Sequence, residues 1–167
     1  MKKLSIIIFC GILFATGCTK ELEQDEECCL NVIKSGTTGS LTWELCEDGT
    51  LTISGNGAMP DYQNNVPIPW YEFRNDIIKV IIGNSVSKIG VWAFLDCENL
   101  RTVTISKSVT TIGAGAFLHC SSLTSVTIGS SVSSIDELAF GDCISLTEII
   151  NYTVVGKSLR FCNCVTY

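Results

Sequence analysis

The sequence predicts a β-rich α/β solenoid, built from coils that repeat every 23 residues and contribute short parallel strands. The first observation is internal similarity, because three segments that start at Lys79, Thr102 and Ser125 align almost residue for residue. The second is that the same eight slots of each segment are apolar, so that one repeat could not bury its apolar side alone. The third is an alternating pattern before the repeats, which predicts an N-terminal β-hairpin cap.

Residues 1–17 have the features of a secretory signal peptide. A short basic start leads into an apolar run that ends at Leu13, and small residues then precede Cys18. Small residues ending in a cysteine resemble the lipobox of bacterial lipoproteins cut by signal peptidase II, which implies that Cys18 carries lipid. Two alternatives stay open. One is ordinary secretion with Cys18 as a plain thiol; the other is an uncleaved anchor, although the apolar run is shorter than the roughly 20 residues of a membrane span.

Residues 18–36 form an acidic segment that we interpret as a tether. Cleavage after residue 17 would remove two lysines, so that the net charge would change from −6 to −8. The acidic run is typical of a solvated, disordered linker, and it also resembles the export signal that follows the lipidated cysteine of some surface lipoproteins. The acidic balance of the whole chain argues against nucleic acid or anionic lipid as a partner.

Residues 37–78 are predicted to cap the N-terminal end of the solenoid, because an uncapped end coil would expose its apolar core. Apolar and polar residues alternate on both sides of a turn at Glu47–Gly49, which predicts a β-hairpin. Pro69 is followed by residues that suit a short helix. We expect Trp43 and Trp70 to pack in the core, with a sugar-stacking platform as the alternative.

Residues 79–147 contain the three repeats. In the middle copy, Val103–Ile105 predicts a short parallel strand and Val109–Ile112 predicts a second extended stretch. Ala116–Cys120 is compact enough for a single helical or 3₁₀ turn. Glycines lie at the corners between these elements, where we expect positive φ angles. These corner residues are Gly83, Gly90, Gly113 and Gly129.

The motif Ser-Val-Thr-x-Ile-Gly-x-x-Ala-Phe-x-x-Cys-x-x-Leu, at Ser108–Leu123, resembles the BspA-like subclass of bacterial leucine-rich repeats. The segment Gly49–Tyr62 and the triplet Pro69–Tyr71 resemble the sequence that often precedes those repeats. The resemblance covers about residues 40–150. It implies a leucine-rich-repeat solenoid in a secreted or surface-anchored protein, which binds proteins or host matrix and has no catalytic residues.

Residues 148–167 begin a fourth copy that departs from this pattern. Asn151 stands where an inward aliphatic residue is expected, and Ser158 stands where isoleucine is expected. Cys162 and Asn163 take the Ala and Phe slots. The segment is therefore either an unusual cap or the start of a longer array that has been truncated, and we favour the truncated array.

The cysteines raise the question of disulfides, metals and nucleophiles. Cys97, Cys120 and Cys143 share one interior slot, where coils about 4.7–4.9 Å apart would hold their Cβ atoms too far apart for disulfides. We therefore expect three buried thiols. One bridge between the Cys28–Cys29 pair and Cys46 is plausible in an oxidising compartment. The five cysteines that lie outside both the interior slot and residues 1–18 have no spacing that suits zinc, and no metal or other cofactor is expected. They are Cys28, Cys29, Cys46, Cys162 and Cys164.

His119 is the only histidine of the chain, and it precedes Cys120. A neighbouring Cys and His could suggest a catalytic nucleophile. The slot of His119 holds Asp96 and Asp142 in the adjacent repeats, so that His119 is expected to face solvent while Cys120 points inward. The two side chains therefore diverge, and we expect no enzymatic activity.

Outward strand residues are expected to form rows across the coils, and the candidate binding face consists of five of them. They are Ile81, Thr102, Thr104, Ser125 and Thr127. A flat, weakly charged, hydroxyl-rich face suits contact with protein or glycan, and ordinary solvation explains it equally well. Glycan capture would need exposed aromatic side chains, and the repeats offer only Trp92. A second hydroxyl-rich row consists of Ser87, Thr110 and Ser133.

The predicted function is that of a non-catalytic protein-binding or adhesion lipoprotein on the bacterial envelope. The lipid on Cys18 would anchor it, with surface exposure on the outer membrane as the expected location. Its partner would be a protein, such as a host or matrix protein. The alternatives are a structural or accessory component of an envelope complex and a glycan-capture module.

Overall fold

The computed structural model describes residues 29, 31–63 and 66–151 of the 167-residue chain. The expectations for the signal peptide, Cys18, Cys28, Cys162 and Cys164 lie outside the described residues. The described part contains short strands and one 3₁₀ helix. In chain order these are β1 (Val32–Thr38), β2 (Leu41–Cys46), β3 (Thr50–Gly55), β4 (Gly57–Ala58), the 3₁₀ helix (Tyr71–Phe73), β5 (Lys79–Ile82), β6 (Val86–Ile89), β7 (Thr102–Ile105), β8 (Thr111–Ile112), β9 (Ser125–Ile128), β10 (Ser134–Ile135) and β11 (Glu148–Asn151).

Two sheets form two sides of the solenoid. The larger sheet has the strand order β1-β2-β3-β5-β7-β9-β11, and the smaller has the order β10-β8-β6-β4. Pairing is antiparallel from β1 to β3 and parallel from β3 onward. Val80 pairs with Val103, and Val103 with Val126, so each coil lies in register with the next. The predicted solenoid of parallel coils is confirmed.

The turns form the third side of each coil. Within the middle turn, the N–H of Leu118 donates to the carbonyl of Gly115 at 3.1 Å, a three-residue spacing typical of a 3₁₀ turn. The turns also bond to one another. The N–H of Phe94 donates to the carbonyl of Ala116 at 2.7 Å, and that of Phe117 donates to Ala139 at 2.8 Å. Backbone hydrogen bonds therefore connect the coils on all three sides.

Aromatic side chains form a column along the interior. The rings of Phe94 and Phe117 stack with centroids 5.0 Å apart, and Phe140 follows at 5.2 Å. Trp70 continues the column into the cap, with its ring centroid 5.5 Å from that of Phe94. The ring of Trp43 meets the ring of Trp70 edge-on, with centroids 6.1 Å apart. Both tryptophans are buried, which confirms that they pack in the core and rules out the sugar-stacking alternative for them.

Strand β1 corrects the predicted extent of the tether. Residues 32–36, which the sequence analysis placed in a disordered linker, pair antiparallel with β2. Most side chains of β1 are exposed, so its sequence lacks the apolar alternation that predicts a strand. Backbone pairing holds this strand, and the disulfide between Cys29 and Cys46 ties the chain just before it.

The expectation of positive φ angles at the corner glycines is wrong. Positive φ angles among glycines fall elsewhere, for example at Gly115 with φ 57°. The corner glycines are required for close approach between coils. A Cβ atom on Gly90 would collide with the carbonyl of Pro60, and one on Gly113 would lie 2.8 Å from the backbone nitrogen of Val91. Tight stacking, rather than a left-handed backbone, selects glycine there.

Candidate functional site: the strand face

The larger sheet turns two neighbouring rows of side chains outward, and the candidate residues lie on these rows. Ile81 pairs with Thr104, and Thr104 pairs with Thr127, so these three form one row across the coils. Thr102 and Ser125 pair with each other in the neighbouring row. Thr104 is exposed and the other four are half-buried. The structure thus brings all five residues onto one flat face.

The cap extends the same row, which the sequence analysis did not anticipate. Thr52 pairs with Ile81, and Glu44 pairs with Thr52. At the other end, Ile150 pairs with Thr127. The polar positions of the hairpin could have indicated this extension, because side chains that alternate with buried ones must point to the opposite side of the sheet. The outward face therefore continues from the cap through the repeats.

A shallow depression of about 500 Å³ adjoins the face at the carboxyl ends of its strands. Thr104 and Thr127 contribute to its lining, and Lys107 supplies one positive charge. The other lining residues are Asn84, Ile105, Gly129 and Ser130. Hydroxyl, amide and ammonium groups can hydrogen-bond a polar or acidic group of a partner, and the depression contains no carboxylate.

A second depression, of about 510 Å³, lies at the opposite ends of the strands, between the cap and the first repeats. Its lining mixes the carboxylates of Glu47, Asp48 and Asp76 with the guanidinium of Arg101. Asn99 closes one side by donating from its amide to the carbonyl of Asn75 at 2.8 Å. The mixed charge of this depression contrasts with the uncharged row of Ile81, Thr104 and Thr127.

The second hydroxyl-rich row has a different role from the strand face. The hydroxyl of Thr110 donates to the carbonyl of Ser87 at 3.1 Å, and that of Ser133 donates to Thr110 at 3.2 Å. Thr124 makes the corresponding bond to Arg101, one coil earlier. These hydroxyls therefore contribute to holding coils in register, whereas no such bond involves Thr104 in the described part of the chain.

The interior cysteines are buried and reduced, as predicted. Cys97, Cys120 and Cys143 carry free thiols, and the Sγ of Cys120 donates to the carbonyl of Phe94 at 3.3 Å. Burial raises the pKa of Cys97 to about 12, and the hydrogen bond with Cys143, together with burial, raises the pKa of Cys120. Because the thiolate is the nucleophilic form, Cys97 and Cys120 are unsuited to nucleophilic chemistry near neutral pH.

The predicted bridge to Cys46 is confirmed, with Cys29 as the partner. Their Cα atoms lie 5.9 Å apart. This separation falls within the usual range for disulfides. The bridge joins the start of the described chain to the end of β2 and therefore fastens the edge of the larger sheet.

His119 is exposed on the turn side, as its slot predicted, and Cys120 is buried. The histidine ring lies between two carboxylates. Its Nδ1 is 2.9 Å from Asp96 and its Nε2 is 3.3 Å from Asp142. The slot identities contained this information, because the three residues occupy one position in consecutive coils, but the contact was not inferred from them.

Within residues 29, 31–63 and 66–151, no group of three His, Cys, Asp or Glu side chains is placed to hold a metal ion. Among the same residues there is no helix with the length and apolar content that crossing a bilayer requires.

Comparison with known proteins identifies the repeat. A family model of the BspA type leucine rich repeat region matches residues 66–165 in six copies, which is more than half of the chain. The chain belongs to this BspA-type leucine-rich repeat family. The resemblance noted at Ser108–Leu123 is thereby confirmed. Proteins of this repeat class are generally protein-binding scaffolds and are typically non-catalytic. Among curated proteins, none matches the chain.

Solved structures of other leucine-rich repeat proteins resemble this chain. A leucine-rich repeat protein from Eubacterium ventriosum is 26% identical with a TM-score of 0.51, over 71% of this chain and 44% of that one. A leucine rich cell surface protein from Faecalibacterium prausnitzii is 25% identical with a TM-score of 0.40, over 71% and 42%. The T. pallidum leucine-rich repeat protein is 22% identical with a TM-score of 0.36, over 70% and 71%. The chain spans less than half the length of the first two.

Proposed function

We propose that this protein is a lipoprotein of the bacterial surface whose strand face binds a protein partner, such as a host or matrix protein, without catalysis. The observation that supports this function is the strand face itself. Ile81, Thr104 and Thr127 form a flat, uncharged row across three consecutive coils. The family's general role in protein binding agrees with it.

The centre of this face is where a partner would bury most surface. The row spans about three to four coils, or near 15 Å across the stack. A partner laid across it would cover Thr104 and Thr127 and exclude water from them. A carboxylate introduced there would lose most of its hydration when the partner covers it, which is unfavourable even though Lys107 lines the adjoining depression.

The test is therefore the double variant Thr104→Glu with Thr127→Glu. We expect it to abolish binding to the partner, measured on surfaces coated with candidate proteins, matrix proteins first. Thr104 is exposed and Thr127 half-buried at the surface, so the fold should persist, and circular dichroism together with the denaturant midpoint verifies this.

The matched control is Thr110→Glu with Ser133→Glu on the neighbouring side of the coil. Both residues are exposed, and each change removes only an exposed hydroxyl bond to the preceding coil. Binding should stay unaltered in this variant. If the strand-face variant still binds the partner and the control variant does not, the partner binds the side of the coil that carries Thr110 and Ser133.

Anchoring is tested separately, at Cys18. Acyl chains contribute about 0.8 kcal/mol per buried CH₂, so a multiply acylated Cys18 would hold the protein stably on a membrane. We expect Cys18→Ser to move the protein into the soluble fraction of cells. If this variant still sediments with membranes after a high-salt wash, lipidation at Cys18 is not the anchor.

A further inference from the structure

The charges of the repeats are separated between the sides of the coil. We define the turn side as residues 90–98, 113–121 and 136–144. It contains no lysine or arginine, and it contains all five acidic residues of the region 79–147. These are Asp96, Glu98, Asp136, Glu137 and Asp142. The four basic residues of the same region lie on or beside the strands. They are Lys79, Lys88, Arg101 and Lys107.

Exposed apolar side chains run along this same side. Trp92 is 39% exposed and Leu138, in the equivalent slot two coils later, is 42% exposed. Between them, the side chain of Trp92 lies against Gly115 and the half-buried side chain of Leu118 lies against Gly141. We call this set the turn stripe. Its members are Trp92, Gly115, Leu118, Leu138 and Gly141.

The turn stripe has carboxylates on both of its sides, in the third coil on one side and in the first and third coils on the other. Asp136 and Glu137 immediately precede Leu138 and are exposed. On the other edge, Asp96 and Asp142 hold His119 between them. The cap brings one cation near this edge, because Arg74 lies over the ring of Tyr71, whose hydroxyl donates to Asp96 at 3.2 Å. The acidic residues outnumber that single cation.

The stripe is also held in place before any partner arrives. The N–H of Trp92 donates to the carbonyl of Ala114 at 3.1 Å, and that of Gly115 donates to Glu137 at 3.0 Å. These bonds fix the spacing of the turns, so that a partner would not have to order the stripe on binding. Preorganised surfaces of this kind bind at a lower entropic cost.

We infer that the turn stripe is a second interaction surface, separate from the strand face, and that it takes a cationic amphipathic segment of a partner protein. Apolar residues of that segment cover Trp92 and Leu138. Its lysine or arginine side chains meet Asp136, Glu137 and Asp142. Complementary charge selects such a segment and repels acidic ones.

Trp92 is a built-in reporter of this surface. The other two tryptophans of the chain, Trp43 and Trp70, are buried in the cap. Quenching of the intrinsic fluorescence by acrylamide therefore reports mainly on Trp92. The probe is a synthetic amphipathic helical peptide with a Leu face and a Lys face, about 12 residues or roughly 18 Å long. A peptide with Glu in place of Lys is the charge control.

We expect the Leu/Lys peptide to protect Trp92 from acrylamide and to shift its emission to shorter wavelength. The Leu/Glu peptide should bind at least about tenfold more weakly, a difference of about 1.4 kcal/mol. Protection should weaken as salt is added, since exposed charge pairs are screened. Equal protection by both peptides, or protection by neither, overturns the inference.

A variant that keeps the reporter tests the location of the surface. This variant combines Leu138→Ser, Asp136→Asn and Glu137→Gln. Its affinity for the Leu/Lys peptide should be lower than that of the parent by about tenfold or more. The strand-face variant Thr104→Glu with Thr127→Glu should bind the peptide as the parent does, whether or not the strand face has its proposed function. Unchanged affinity in the turn-side variant would place the peptide elsewhere.

A second copy of this chain is the other possible occupant. Sedimentation of the protein alone distinguishes it, because protection of Trp92 that rises with protein concentration in the absence of peptide would show self-association through the stripe. We expect a monomer whose Trp92 stays equally accessible over the concentration range. Self-association with loss of quenching overturns the assignment to a cationic partner.

Discussion

The cap and the repeats build one continuous core by different means. In the repeats, Phe94, Phe117 and Phe140 stack nearly parallel, with interplanar angles of 9° and 3°. In the cap, Trp43 meets Trp70 at 72°, edge to face. Identical coils related by a translation place identical rings directly over one another. At the boundary Trp70 still stacks on Phe94, but at 21°, so the rings become less parallel where the coils become unlike.

The two regions also differ in how their edges are held. The repeats are joined by backbone bonds on three sides, whereas the cap uses an antiparallel hairpin and the disulfide of Cys29 with Cys46. The indole N–H of Trp43 is buried without a hydrogen-bond partner among the described residues. An unpartnered buried donor destabilises its surroundings. A covalent bond in the cap thus compensates for fewer repeated contacts.

The junction between cap and repeats is polar at the surface and aromatic inside. Although burial opposes it, hydrogen bonds from Lys88 and from the N–H of Val91 hold the pKa of Asp61 below its ordinary value. In the interior, the indole of Trp70 donates to the carbonyl of Ala93 at 2.8 Å. The cap therefore bonds to the first repeat much as one coil bonds to the next.

The largest expected effect comes from a substitution that breaks the aromatic column in its middle. Phe117→Ala should lower the free energy of unfolding by roughly 3–5 kcal/mol, because Phe94 and Phe140 are held apart by backbone bonds and cannot fill the cavity. This is a large fraction of a typical domain's stability. The denaturant midpoint measures it.

His119→Ala is the control for that variant. It lies two residues away on the exposed side of the same turn and loses only surface contacts with Asp96 and Asp142. Exposed ion pairs contribute about 0–1 kcal/mol, so the midpoint should barely move. Similar losses in both variants would contradict the assignment of inward and outward positions.

The next effect concerns the cap alone. The disulfide closes a loop with a sequence separation of 17 residues. Reducing it should lower the free energy of unfolding by about 3 kcal/mol, since the unfolded chain gains conformational freedom. Thermal unfolding with and without reductant measures the change. Hydrogen exchange should increase in β1 and β2 well before it increases in β7 and β9.

Cys29→Ala is the matched control for reduction. It should show the same loss of stability and then respond much less to reductant, because the cysteines of the described repeats, Cys97, Cys120 and Cys143, are already free thiols. An equal increase of hydrogen exchange in the cap and in the repeats would show that the disulfide stabilises the whole solenoid rather than its edge.

The smallest effect concerns the turn side of the repeats. Gly115 has φ 57°, and a Cβ atom there would lie 2.7 Å from Cδ1 of Trp92. Gly115→Ala should therefore cost about 1–2 kcal/mol from backbone strain, with an added term from the contact. In a Trp92→Ala background the cost should fall to the strain alone. A double-mutant cycle measured by denaturant unfolding separates the two terms.

Much of the fold followed from the sequence. The period of 23 residues, the parallel strand at Val103–Ile105, the hairpin around Glu47–Gly49 and the buried thiol at Cys120 were all predicted correctly. These features depend on residues within one coil, or on the translation of one coil onto the next. A repeated apolar pattern contains that information directly, because each slot must face the same interior.

Only the tertiary structure decided the features that depend on contacts between unlike segments. Strand β1 has exposed side chains and is held by its pairing with β2, so no local periodicity reveals it. Gly90 is required by the carbonyl of Pro60, which comes from the cap rather than from another repeat. The repeat places Asp96, His119 and Asp142 in one slot, but the separations of 2.9 and 3.3 Å between their side chains were set by the packing of the coils. Sequence periodicity specifies which residues share a slot, but the distance between neighbouring slots is set only when the coils pack.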